Sequence, residues 1–361
     1  MEIAVIGGGH GCHAAAADLS ERGHRVRLWR RDRAAFAPTL KRSALTLTDT
    51  QGTRDVSLGL ATTDLAQAVT GAELVLIPLP ATAQVVLGRD LAPLLTDGQV
   101  VFLPPGTFGS YILANAVKRT GTGARVTFAE TGTLPYLARK QATDHIAIRV
   151  RATRLPTGVL PTSDCSRALD IIGAAYPSVE PIEDVLSAAL MNAGPIIHPP
   201  LILMNAGPLE HFKVWDIHNE GTQPSVRRVT DALDAERVSI REALGYRPPH
   251  FPLADHYDDT RDEWMYGNTS HEKLTDSGDW REDIGLTTHR YMLEDVALGL
   301  AFLVSVGVWA GTETPVARGL LALGSAVVGK DFRTAGRTLE TLGLADLSRD
   351  EMHDLLQGGP G

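Results

Sequence analysis

Short apolar runs alternate with alanine-rich, helix-like stretches through the first half of the chain. The runs cover residues 3–6, 25–29, 74–78, 100–103 and 125–128, and the stretches between them include 14–22, 82–95 and 111–119. Strands buried on both faces read as continuous apolar runs. Their alternation with helices predicts βαβ units around a parallel sheet. Runs at 45–47 and 146–150 predict extra or edge strands, and 163 to about 180 a last α/β unit. After Pro181 helical stretches dominate, at 183–192, 226–244, 296–309, 316–328 and 332–342. Residues 245–285 are polar, aromatic and punctuated by Pro and Gly, and read as a long loop or a set of short helices. The pattern divides the chain near residue 180, into an α/β domain (1–180) and an all-α domain (181–361).

Composition narrows the function classes. With 34 basic and 43 acidic residues among 361, the formal charge is -9. That argues against nucleic-acid binding, which needs a basic surface to neutralise phosphates. Two cysteines, Cys12 and Cys165, make a disulfide framework or structural zinc site a poor expectation. The first ten residues, MEIAVIGGGH, have no signal-peptide pattern. The longest apolar run, 296–310, falls short of the roughly 20 residues that span a bilayer and reads as a buried helix. A soluble, cytoplasmic protein without a membrane partner is the expectation.

The first apolar run leads straight into Gly7-Gly8-Gly9-His10-Gly11-Cys12-His13 and then a helix. Strand, glycine turn and helix N-terminus together cradle a pyrophosphate, because the backbone can approach closely and the helix offers free N–H groups. This makes the first domain a Rossmann-type dinucleotide-binding domain. Gly7 and Gly9 take the first two fingerprint positions; Cys12 stands at the third, where Gly or Ala is usual. The second strand ends at Arg30-Arg31-Asp32. Guanidinium groups there suit a 2′-phosphate, so NADP(H) is favoured over NAD(H). The other reading has Asp32 on the ribose and the arginines in solvent. Pro80, and Pro105 with Gly106, follow the next two strands at the sheet's carboxyl edge and are further cofactor-contact candidates.

The second domain opens with apolar sequence broken by three prolines around His198, flanked by Asn192 and Asn205. A titratable histidine at such a break is a candidate proton donor and acceptor; a satisfied core histidine is the alternative. Further on, Asp295 either caps an apolar helix or orients a distant histidine. Arg290 is a fork for a substrate carboxylate or a surface ion-pair partner. A metal site on His250, Asp255, His256, Asp258 and Asp259 lacks a recognised ligand spacing, and no metal is expected.

Four stretches carry a family resemblance over nearly the whole chain: VIGGGHGCHAAAADL, NAGPIIHPPLILMNAG, HNEGTQPSVRRVTDALDAERVSI, and HRYMLEDVALGLAFLVSVG with KDFRTAGRTLETLGL. They resemble the opine dehydrogenases, the octopine/nopaline dehydrogenases and bacterial relatives that make N-(1-carboxyethyl) amino acids. The resemblance implies a Rossmann-type domain followed by a helical one. It also implies reductive condensation of an amino acid or amine with an α-keto acid through an imine. His198 would be the acid/base and Asp295 its partner. Arg290 would meet the substrate carboxylate, with Asn192, Asn205, Glu130 and Thr131 lining the substrate site. Arg30 departs from the acid of NAD-preferring relatives. A homodimer is compatible with the resemblance, although no pattern in the sequence points to one. Two rivals remain: an NADP-dependent keto acid/hydroxy acid dehydrogenase, and a non-catalytic NADP(H)-binding protein.

Overall fold

A computed structural model describes residues 1–267 and 283–360. The chain forms two compact units. The first comprises 1–79, 83–189 and 353–361; the second comprises 80–82 and 190–352. In this division the units meet at 189/190, and residues 353–360 belong with the first unit.

The first unit is built on an eight-stranded sheet in the order β12-β11-β8-β7-β6-β1-β2-β5. Its strands are β1 (Glu2–Ile6), β2 (Arg25–Trp29), β5 (Leu60–Thr62), β6 (Leu74–Leu76), β7 (Val100–Leu103), β8 (Thr127–Thr131), β11 (Leu155–Leu160) and β12 (Val179–Pro181). From β5 to β8 all pairings are parallel, and β11 is antiparallel to β8. The order β5-β2-β1-β6-β7-β8 is the doubly wound arrangement. The chain reverses its winding between β1 and β6, where the crevice for a ligand opens. Ile3, Val5, Leu28, Leu74, Leu76, Val100 and Phe102 are completely buried. Burial on both faces is why β1, β6 and β7 read as unbroken apolar runs, whereas in β2 arginines alternate with Val26 and Leu28.

The runs at 45–47 and 146–150 belong to a second sheet, ordered β4-β3-β10-β9. It contains β3 (Ala44–Asp49), β4 (Gly52–Ser57), β9 (Tyr136–Ala142) and β10 (His145–Arg151). This sheet packs against helix α1 (His10–Glu21).

The second unit is α-helical. Its principal helices are Gly194–Met204, Pro224–Ala243, Tyr291–Ala310 and Pro315–Val328. The expected single helix over 332–342 is two short ones, Phe332–Ala335 and Leu339–Leu342, separated at Gly336. Helix Gly194–Met204 is not broken by its prolines. Pro195 sits in the first turn, where no N–H is required, and Pro199 and Pro200 lie within the helix. Helix Tyr291–Ala310 begins five residues before the apolar run, and residues Tyr291–Leu300 are wound as a π-helix. It is long and apolar enough to cross a membrane, with a mean hydropathy of 1.7 over an 18-residue window, yet 78% of that window is buried inside the fold. Part of the 245–285 region lies outside the described residues.

Candidate active site

The second unit brings His198 and Asp295 together. His198 sits in the middle of helix Gly194–Met204, and Asp295 lies in the π-wound turn of the neighbouring helix. His198 Nδ1 is 2.7 Å from Asp295 Oδ2. Room for the carboxylate depends on Gly194, where a Cβ would lie 2.4 Å from Asp295 Oδ1. Asp295 is inside the helix, so it is not the cap. Widened π turns occur often at functional sites. Here the widening places Arg290 and Asp295, five residues apart, about one π turn from each other.

The imidazole plane is fixed from one face. The Tyr291 ring stacks on it at 3.7 Å between centroids and 11° between planes. The Tyr291 hydroxyl pairs with His218 Nε2 at 2.8 Å, and His289 meets the Tyr291 ring edge-on. Neither Tyr291 nor His218 stood out in the sequence, although both lie in the family-like stretches. Side chains that position another side chain leave no spacing signature.

Burial is the largest influence on both members of the pair. It holds His198 well below the ordinary imidazole range and lifts Asp295 to about 7, while Arg290 and His289 pull Asp295 back down. A neutral imidazole donating Nδ1–H to Asp295 leaves Nε2 as an acceptor, and that atom has no hydrogen-bond partner among the described residues. The arrangement can take up and return one proton at Nε2, with Asp295 stabilising the cation.

Arg290 is half-exposed, and its Nη1 lies 3.4 Å from Glu294 Oε2. Glu294 is buried, and its other oxygen accepts the Ala81 N–H at 2.7 Å. Burial, and next the charge of Asp295, raise Glu294 to about 7. Asn192 Oδ1 accepts the Gly194 N–H at the start of the histidine's helix.

The polar atoms of Asn205 are committed to the fold. Nδ2 donates to Leu201 O and Gly221 O, and Oδ1 accepts from Trp215 Nε1. It braces a loop instead of facing a substrate. Glu130 is likewise sealed. Its carboxylate accepts from Phe108 N, Ser110 N and Ser110 Oγ. That holds a turn in which Thr107 and Phe108 adopt φ of 53° and 63°, a costly region for side-chain-bearing residues. Thr131 Oγ1 donates to Pro156 O. Asn205 was expected at the site as a polar residue in an apolar stretch, and Glu130 and Thr131 through the family resemblance; in the structure the bonds described for all three go to the protein itself. The five groups from His250 to Asp259 do not converge. No cluster of three metal-ligating side chains occurs among the described residues, and His256 Nε2 is spent on Phe251 O.

In the first unit, β1 ends in a glycine turn at the mouth of the β1/β6 crevice. Gly7 has φ +126°, and a Cβ there would lie 2.4 Å from Leu79 Cδ2. At Gly9, the residue before the first turn of α1, a Cβ would meet nothing within 4 Å. A tight glycine turn opening into free space beside a 12-residue helix N-terminus fits a dinucleotide pyrophosphate. Gly9 and His10 face solvent, and Gly11 is buried. Arg30 follows β2 with its side chain across Gly8, and Arg31 is exposed. Asp32 caps a turn through the Ala35 N–H. Pro80 belongs to the second unit; Pro105 and Gly106 follow β7, where Gly106 O accepts from Gln84 Nε2.

Two expected cofactor contacts are internal. Cys12 is fully buried, with Sγ 3.6 Å from Ile6 O and 3.5 Å from Pro78 O. It fills the space that the third fingerprint glycine leaves for close helix–sheet packing. His13 is also sealed, between Gly9 O at 3.0 Å and Thr143 O at 3.1 Å, and it ties α1 to the second sheet.

Residues 181–328 match the family described as NAD/NADP octopine/nopaline dehydrogenase, alpha-helical domain. Residues 2–103 match the NAD-dependent glycerol-3-phosphate dehydrogenase N-terminus. The chain is 32% identical over 188 residues to an opine dehydrogenase of Arthrobacter sp. (strain 1C), a match covering 50% of each protein. It thus spans about half the length of that curated relative. Octopine dehydrogenase with NADH and L-arginine superposes with TM-score 0.70 at 18% identity, over 99% of this chain and 98% of that one. Yersinopine dehydrogenase bound to NADP+ gives 0.68 at 16%, over 99% and 98%. At these identities the likeness is one of fold.

Proposed function

With the octopine/nopaline dehydrogenase helical domain over residues 181–328, the chain belongs to the opine dehydrogenase family, and from that premise we propose that it joins an amino acid or amine to an α-keto acid through an imine and reduces the product to an opine-type secondary amine. NAD(P)H is the reductant, with NADPH favoured by Arg30 and Arg31. Gly7, Gly9, His10 and Gly11 would hold the dinucleotide, and when bound its nicotinamide supplies the hydride.

The observation that carries this reading is the 2.7 Å pairing of His198 Nδ1 with Asp295 while Nε2 stays unpartnered. Neutral His198 takes a proton from the ammonium of the incoming amine, freeing its lone pair to attack the keto carbon. The imidazolium, stabilised by Asp295, then returns that proton to the departing hydroxyl, which leaves as water. The second proton passes from the attacking nitrogen to the former keto oxygen as the carbinolamine forms, so the histidine borrows one proton and gives it back, and a single histidine serves both steps. Arg290, with its exposed guanidinium, takes the keto acid carboxylate as a two-pronged contact. Tyr291, stacked on the imidazole, keeps Nε2 aimed.

A matrix of amines against α-keto acids, read by NADPH and NADH oxidation, tests the proposal. Oxidation that requires both an amine and a keto acid is expected. Oxidation with keto acid alone would make the protein a hydroxy acid dehydrogenase, and nucleotide binding without turnover of any pair would make it a non-catalytic binder.

A further inference from the structure

Lys140 lies on β9, in the second sheet, outside every stretch that carries the nucleotide fingerprint. Its backbone N–H donates to His10 Nδ1 at 2.8 Å, which fixes the strand against the start of α1. Its ammonium is half-buried at the glycine turn, 3.4 Å from Gly8 O and 3.2 Å from His13 Nε2. The Arg30 side chain reaches the same glycine from the other strand, since a Cβ on Gly8 would lie 2.4 Å from Arg30 Cδ. Two cations therefore converge on Gly8. Among the described residues neither has a carboxylate partner; Arg30 donates only to Ala35 O. Holding like charges together in a partly dry place is unfavourable unless an anion joins them.

The hydrogen-bond arithmetic leaves Lys140 with a free donor. His13 Nδ1 lies against Gly9 O, and its Nε2 lies against both Thr143 O and the ammonium of Lys140; a neutral imidazole has one N–H and one acceptor nitrogen, so His13 takes at most one ammonium proton. Of the three ammonium protons, at most one goes to His13 and one to Gly8 O, and the remainder has no partner among the described residues.

We propose that Lys140, with Arg30, binds the 2′-phosphate of NADP(H) and is a determinant of the cofactor preference. This rests on the nucleotide reading given above. The amides at the start of α1 serve the pyrophosphate common to both nucleotides, whereas the end of β2, where Arg30 stands, is the position that meets the adenine ribose. Lys140 adds a mobile point charge to the fixed fork of Arg30. The groups facing its ammonium are His13, Arg30, Cys12 and, at longer range, Asp144. Burial and then the Arg30 charge lower the lysine to about 8. NADPH affinity should therefore weaken as the pH rises through about 8, because the deprotonated amine no longer attracts the phosphate.

The test is direct binding of NADPH and of NADH to the full chain, followed by nucleotide fluorescence, for the parent, Lys140→Met and Lys140→Arg. Lys140→Met should raise the Kd for NADPH by about tenfold to a hundredfold and leave NADH unchanged, which also verifies folding. Lys140→Arg should retain most of the NADPH affinity. The fall in NADPH affinity above about pH 8 should vanish in Lys140→Met. Equal losses for both nucleotides would place Lys140 at the pyrophosphate or in the scaffold, and unchanged affinities would remove it from the site; either overturns the proposal. A parent that binds neither nucleotide overturns the nucleotide reading itself.

Discussion

His198 Nδ1 and Asp295 Oδ2 stand 2.7 Å apart although 97 residues separate them in the chain. A buried imidazole bonded through Nδ1 to a carboxylate is held in direction and presents Nε2 for proton exchange. Replacing His198 by Ala should leave nucleotide binding intact and abolish turnover. Asp295→Asn should lower kcat by about 10²- to 10⁴-fold, because the amide can donate to Nδ1 and stabilise the wrong tautomer. Steady-state kinetics beside NADPH titration separates the two effects. Normal turnover in either variant removes the pair from the chemistry.

Tyr291 touches the imidazole by its ring and His218 by its hydroxyl. Stacking fixes the plane of His198, while the hydroxyl fixes only the tyrosine. Tyr291→Phe should therefore keep kcat within a few-fold, and Tyr291→Leu should lower it by about tenfold or more at little change in KM. Phe and Leu variants with equal kcat would show that stacking contributes nothing.

Glu294 pairs with Arg290, the residue proposed for the keto acid carboxylate, and the two would compete for the guanidinium. Below about pH 7 burial keeps the Glu294 carboxyl neutral and its pairing with Arg290 weakens; above about pH 7 the carboxylate strengthens it. The KM for the keto acid should rise as the pH passes through about 7. Glu294→Gln keeps an acceptor for the Ala81 N–H but carries no charge, so the KM profile should flatten there. A parent-like rise in Glu294→Gln would assign the titration to another group.

How much of this could be read from residues alone differs by element. The parallel strands β1 and β7 were legible because burial on both faces leaves unbroken apolar runs, and β2 through the alternation of Val26 and Leu28 with exposed or half-buried neighbours. β5 was not: it has three residues, Leu60–Thr62, two of them only partly buried. β4 and β9 were lost because a strand with one wet face and charged residues, such as Tyr136–Ala142, resembles a loop. The two partners in the second unit were legible through family-like stretches and their chemistry. Asn205 shows the limit of such reading, because a polar residue in apolar sequence signals a partner but does not say whether that partner is a ligand or the backbone; Glu130, expected from the family resemblance, bonds to its own turn. Lys140 was invisible because β9 reaches the glycine turn only through the pairing of the second sheet.

Acid should loosen the second unit through His256. The side chain is buried and donates Nε2–H to Phe251 O. Burial, and next the charge of Arg237, lower it to about 4 from an ordinary 6.5. The unfolded chain therefore binds a proton between about pH 6.5 and 4 that the folded chain refuses. Unfolding free energy contributed by this group is complete above 6.5 and is lost as the pH falls through 4. Lowering from 6.5 to about 4 corresponds to at most about 3 kcal/mol. His256→Gln retains a donor for Phe251 O without a titrating ring. Urea midpoints measured at pH 7.5 and pH 4.5 should fall less between the two pH values in the variant than in the parent. Parallel falls would mean that other groups, His13 among them, account for the acid sensitivity.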